Sequence, residues 1–186
     1  LKPRKTDVNV FVPSGFFEEY KKRGIAVDSS FSINASELEA EDWVLTFNLS
    51  ITEPTAVLIE RTITRLKEDK ESFSISEIIE NFEKDKSSSN DTRNSAIGLF
   101  EAANSWKVFS EKETKISDLV QAGKTSVLDL SCYSSVGAFN VRALVIGLVC
   151  RKLFKERMMA RKSEEIQAVQ HGIDYLSFKQ EREMPL

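Results

Sequence analysis

The sequence predicts an α/β domain, helix-rich overall, in which a helical bundle is inserted between strand-forming segments. Three observations carry this reading. Residues 126–130 form a short apolar run that fits a buried strand, and a short loop then leads to a helix that is apolar almost all round from 141 to 150. A helix of that kind must be covered on several sides, as happens in a layered α/β domain. Near the other end, residues 7–12 alternate in the manner of a strand. Between them lies a succession of capped amphipathic stretches. The chain therefore divides into a core-flanking strand and linker at 1–51, a helical bundle at 52–122 and a return to the α/β core at 123–186.

Taken in order, the strand at 7–12 is closed by Pro13, Ser14 and Gly15. Residues 16–22 suit one or two helical turns before Gly24, and 31–33 suit a short extended piece. Ser36 and Glu39 match a capping box, so a helix is expected to open there. The stretch 41–49 reads two ways. Leu45, Phe47 and Leu49 alternate like a strand, whereas Trp43, Val44 and Phe47 fit a helix face, and helix is favoured. Thr52, Glu53 and Pro54 supply an N-cap, an acidic first turn and an early proline. Behind them Val57, Leu58, Ile63 and Leu66 form a stripe running to about residue 70. Ser74 and Glu77 open a further helix with Ile75, Ile78, Ile79 and Phe82 on one side. After a serine-rich loop at 86–90, Asn90 or Asp91 caps a helix bearing Ala96, Ile97, Phe100 and Ala103, with Trp106 at least partly buried. A short helix at 116–121 ends at Gly123, read as its C′ residue. Short connections between such helices are those of a bundle.

Composition bounds the function. At 186 residues the chain suits one large or two small domains, and 41% apolar content is enough for a core. A net charge of −3 excludes a global nucleic-acid signal, so a basic surface has to be local. Cys132 and Cys150 read as reduced core thiols rather than a disulfide, which fits a cytoplasmic protein. The run 143–150 contains Gly147 and is too short to cross a bilayer, so no membrane association is expected. The chain starts without Met and ends on Met184, Pro185 and Leu186, like the first step of a strand. A fragment of a longer product is expected.

Gly123, Lys124, Thr125 and Ser126 look like the tail of a phosphate-binding loop, but the order is wrong. Such a loop needs a strand before it and a helix after it. Here a helix precedes and a strand follows, and the position of the first glycine holds Asp118. Asp129 lies near the C-terminal end of the strand, the edge of an α/β sheet where ligands bind. It could serve a site there or bond to its own loop. His171 is the only histidine, which excludes multi-histidine metal sites and leaves it as a surface residue. The cations Arg151, Lys152, Lys155, Arg157, Arg161 and Lys162 follow the apolar helix. At helical spacing Arg151, Lys155 and Lys162 share a side, with Lys152 beside them. They could meet phosphate backbones or subunits, or form a solvated helix end that complements the helix dipole.

These pieces, in this order, resemble the HerA-type ATPases, the DNA translocases of the FtsK–HerA branch of P-loop proteins. Residues 8–13 resemble the strand after the family's first nucleotide-binding segment. Residues 31–34 and Trp43 resemble the approach to its helical bundle, and 73–78 and 106–109 its bundle segments. Residues 116–123 with 126–131 resemble the return to the core. Residues 141–145 and 151–154, with Arg157, Arg161 and Lys162, resemble the helix before the Walker B strand, which Pro185 and Leu186 would begin. The resemblance implies a partial P-loop (RecA-like) core carrying the inserted bundle, located between Walker A and Walker B. It implies ATP and Mg²⁺ as cofactors of the parent, none held by this chain. The parent's partners would be double-stranded DNA, five further copies in a homo-hexamer and a nuclease, with a role in DNA end processing or pumping. The Walker A lysine would lie before Leu1 and the acidic pair after Leu186, so no catalytic residue carries over. The alternative reading is a non-catalytic helical interaction module with an α/β flank, in which the likeness is one of architecture only.

Overall fold

Three parallel strands meet, two from near one end of the chain and the third from a distant part of it. Strand β1 (Asp7–Pro13) lies between β2 (Ser29–Phe31) and β3 (Lys124–Leu128). Phe11 faces Ser29 on one side and Leu128 on the other. The computed structural model describes residues 7–133 and 139–171. Part of the loop read after β3, and the strand start read at Pro185 and Leu186, lie outside the described residues.

Valines and phenylalanine favour the pleated conformation in β1. The alternation read there does not become an alternation of burial. Asp7 and Val8 are exposed while Phe11, Val12 and Pro13 are all buried, because only the strand's C-terminal half is covered on both faces. A 3-10 turn at Ser14–Phe16 and helix α1 (Phe17–Lys22) carry the chain to β2. Gly24, with φ of +71°, makes the turn after α1, a left-handed conformation that glycine adopts at no steric cost. Strand β3 departs from expectation. It starts at Lys124 rather than 126 and is not buried: its first four residues are exposed. Its only partner among the described strands is β1, and no described strand pairs with its other edge.

Between β2 and β3 runs a layer of helices: α2 (Ala40–Thr46), α3 (Pro54–Asp69), α4 (Ile75–Lys84), α5 (Asn90–Asn104) and the one-turn α6 (Ile116–Leu119). The helical reading of 41–49 holds, with Trp43 and Val44 buried. The caps are partly those expected. Ser74 and Glu77 form the reciprocal box at α4, but Ser36 and Glu39 do not pair. Asn34 boxes with Glu37 on a 3-10 turn at Ala35–Glu37, and Glu39 boxes with Asp42 on α2. Ser89, not Asn90 or Asp91, caps α5. Glu53, not Thr52, is the N-cap of α3, with Pro54 opening the first turn. In α3 the inward face is Ala56, Leu58, Ile59, Thr62, Ile63 and Leu66, while Val57 is exposed. The layer's centre is aromatic. Trp43 lies 4.7 Å from Phe100 and 5.3 Å from Phe109 between ring centroids, and Phe82 lies 5.2 Å from Phe100. Trp106 is half-buried at the margin of this cluster, 6.1 Å from Phe47.

The α4–α5 loop is organised by Asp85. Its carboxylate accepts from the Ser87 hydroxyl at 2.8 Å and the Ser88 amide at 3.0 Å, and pairs with Arg61 at 3.0 Å. Hydrogen bonding from Ser88 and, against burial, from Ser87 holds its pKa down at about 2. A carboxyl depressed in the folded state contributes stability above its ordinary value of 3.8, and that contribution is lost as pH falls through about 2. Asp85→Asn is therefore expected to cost about 1 kcal/mol at neutral pH. Urea melts from pH 4 down to pH 2 should show a flatter stability profile for the variant than for the parent sequence.

Candidate functional site

Helix α7 (Phe139–His171) is 33 residues long, about 50 Å at 1.5 Å per residue. Its second half is rich in Arg, Lys, Met, Ala and Glu, which lose little rotamer freedom in a helix. Val141, Leu144, Val145 and Leu148 are buried. The helix packs against α2, α6 and the 3-10 turn at Ser131–Tyr133. Near its start Asn140 Nδ2 donates to the Thr46 carbonyl at 2.7 Å.

The all-round apolarity of 141–150 does not mean cover on several sides. Ala143, Ile146, Gly147 and Cys150 are exposed on the face opposite the packed one. Cys150 is thus an exposed free thiol, not a core one. At helical spacing this outer face continues through Phe154, 69% exposed, and Met158. Sequence reasoning missed the stripe because it stopped at the first arginine. The signal was Phe154 and Met158 at i+4 and i+8 from Cys150. Beside the stripe, Leu45 of α2, 76% exposed, and Asp42, Leu144, Gly147 and Arg151 line a groove between the two helices.

Of the six cations singled out in the sequence, four have an acid within ion-pair distance, though the Arg161 pair is an exposed one that contributes little. Arg151 pairs with Asp42 of α2 at 2.7 Å. Lys152 pairs with Glu37, and lies 3.8 Å from Glu113. These two bonds brace α7 against the helical layer. Arg157 pairs with Glu164 at 3.1 Å and Arg161 with Glu165 at 2.9 Å, both along α7 itself. Lys155 and Lys162 are exposed and have no carboxylate within ion-pair distance among the described residues. The cations are therefore spread around the helix rather than gathered on one free surface. His171 ends α7, and its side chain lies outside the described residues.

At the C-terminal edge of the sheet, Asp129 follows β3. Its amide donates to the Phe11 carbonyl at 2.8 Å, prolonging the ladder, and its carboxylate accepts from the Ser131 amide at 2.8 Å. The edge itself is filled by side chains. Tyr133 donates to the Trp106 carbonyl at 2.7 Å and meets Phe16 edge-on. Tyr20 and Ser131 hydroxyls lie 3.2 Å apart. Burial, and then the Asp129 charge, push the Cys132 thiol up to about 11, so it is not a nucleophile near neutral pH.

The tetrapeptide at 123–126 lies in a turn and a strand. Helix α6 ends at Leu119, and Val120 is already extended. Gly123, with φ of +78°, therefore shapes the turn into β3 rather than closing the helix. Lys124 bonds back to the Gln121 carbonyl at 3.1 Å, and the Ser126 hydroxyl is spent on the Leu119 carbonyl. A strand, not a helix N-terminus, follows the tetrapeptide directly, so no backbone cradle for phosphate forms there. Among the described residues no group of His, Cys, Asp and Glu side chains could hold a metal ion, and no helix is long and apolar enough to cross a membrane. Set against family models, curated proteins and solved structures, the chain matches none of them.

Proposed function

We propose that this chain is the middle segment of a HerA-like, hexameric, ATP-driven DNA translocase, itself without the nucleotide-binding motifs. The observation that supports this most is that, among the described residues, no strand pairs with the outer edge of β3 and the outer face of α7 is exposed. A parallel strand is ordinarily covered on both faces and paired on both edges. An exposed parallel strand beside a helix with two apolar faces is what a sheet core presents apart from the elements that complete it. The helical layer inserted between β2 and β3 agrees with a partial RecA-like core carrying a bundle. In this reading ATP and Mg²⁺ are held elsewhere in the parent, and double-stranded DNA and a nuclease are its partners in the cytoplasm.

The bracing of Arg151 and Lys152 by acids favours a second reading, a non-catalytic helical interaction module whose contact face is the α7 stripe. ATP turnover separates the two. The 186-residue chain is expected to release no phosphate from ATP, and Lys124→Ala is expected to change nothing. The full-length product carrying this segment is expected to show DNA-stimulated hydrolysis. Turnover by the chain that Lys124→Ala abolishes, or a full-length product with no ATPase activity, overturns the translocase reading.

A further inference from the structure

We infer that the cleft between α3 and the α4–α5 loop is a binding surface for the phosphate backbone of duplex DNA. It is walled by Arg61 and Arg65 from α3 and by Lys84 and Lys86 from the end of α4 and the loop. These four cations face a single lining carboxylate, Asp85, in a chain whose net charge is −3. Arg61 and Arg65 stand one turn apart on the same side of α3, about 5–6 Å between Cβ atoms. Arg61 is fixed in place by Asp85 at 3.0 Å and by the Ser88 hydroxyl at 3.2 Å. Arg65 has only a loose, exposed contact with Asp69 at 3.8 Å, and Lys84 an exposed one with Glu80 at 3.2 Å. Pairs of that kind contribute little and compete weakly with a phosphate. Lys86 has no acid within ion-pair distance among the described residues. Thr62, 7% exposed, adds its hydroxyl to the same wall.

The kind of ligand is dictated by how these groups are arranged. These cations come from a helix face, a helix end and a loop, and together they line one cleft. They suit a repeating polyanion. An acidic protein partner would also need apolar anchors at the centre of the contact, and the cleft lining contains no large apolar side chain. It contains no aromatic ring either, so bases have nothing to stack on. What remains is contact with the backbone, independent of sequence and strongly dependent on salt. The inference rests on the translocase reading only for the choice of DNA as the polyanion. It places the contact on the helical layer, away from the cations of α7.

The test is fluorescence anisotropy of a short labelled duplex with the 186-residue chain across a range of salt. Binding in the non-specific range, with Kd of about 10⁻⁴–10⁻⁶ M, is expected. Arg65→Glu with Lys86→Glu is expected to weaken it at least about tenfold and to lower the log–log salt slope by about 0.9 for each phosphate no longer neutralised. Lys155→Glu with Lys162→Glu changes the net charge of the chain equally and is expected to leave binding much closer to the parent's. Arg65→Gln with Lys86→Gln should give a smaller loss in the same direction, which keeps the test sharp if charge reversal disturbs the loop. Absence of binding, an unchanged slope in the cleft variants, or equal displacement by poly-glutamate overturns the proposal. If the α7 variant alone loses affinity, the cleft is overturned while DNA binding by the translocase reading stands.

Discussion

Trp43→Ala is expected to destabilise the fold by about 3–5 kcal/mol, the largest single effect among its side chains. The ring is fully buried and touches three others. It stacks on Phe47 at 5.8 Å and lies tilted against Phe100 and Phe109. Phe47 belongs to the end of α2, Phe100 to α5, and Phe109 to the segment that bridges to Ile33 beside the sheet. Truncation would open a cavity where those pieces meet, and neighbours from separate elements cannot all collapse into it. Trp43→Phe should cost much less. It keeps most of the apolar contact and removes a buried indole N–H that has no acceptor among the described residues. Urea melts of the two variants beside the parent sequence check the contrast. Similar losses for both would show that the cluster depends on indole shape rather than on filled volume.

The second large effect is expected at Gly15. Its amide donates to the Lys107 carbonyl at 3.0 Å, so two chain segments cross there at close range. A Cβ at position 15 would meet the Lys107 Cβ at sub-van-der-Waals distance and the Lys107 carbonyl at 3.0 Å. Gly15→Ala should therefore cost about 1–3 kcal/mol through overpacking. Lys107 carries strain of its own, with φ of +56° in the left-handed region. Lys107→Gly relieves that strain and removes the opposing Cβ, so the double variant should recover part of the loss. A double-mutant cycle measured by denaturant melts gives the coupling. Simple additivity would show that the crossing is looser than its hydrogen bond implies.

Much of the helical layer was legible because its signals are local. Ser74 and Glu77 sit three apart and cap the helix they open, and the stripe Ile75, Ile78 and Phe82 obeys the helix period. Hydrogen bonds across three or four residues are written in neighbouring letters. The errors fall where a residue's environment depends on distant chain. Residues 126–130 are apolar enough for a buried strand, but burial is conferred by whatever pairs and packs against them, and β3 has one described neighbour. Apolarity around α7 gives how much surface is available for contact, not how much is covered. The cations of α7 looked like one patch because helical spacing shows which residues share a face. It does not show that Asp42 and Glu37, more than a hundred positions earlier, come to meet Arg151 and Lys152. The cleft at Arg61 and Lys86 was invisible for the same reason, since its walls come from separate elements.

The pairing of β1 with β3 has a consequence for the order in which this chain assembles. Asp7 pairs with Lys124, so the register is set across nearly the whole intervening chain. Closing so long a loop is entropically costly before any contact compensates. The helices α3 to α5, by contrast, are joined by short connections, and their contacts are near in sequence. Contacts of low sequence separation form first, and non-local parallel pairing is intrinsically slow. The helical layer therefore acts as the splint that brings the two halves of the sheet within reach. Strand β3, held on one edge and exposed along most of its length, is the last piece to lock. For the same reason its amides are expected to exchange with solvent early, which hydrogen exchange would check.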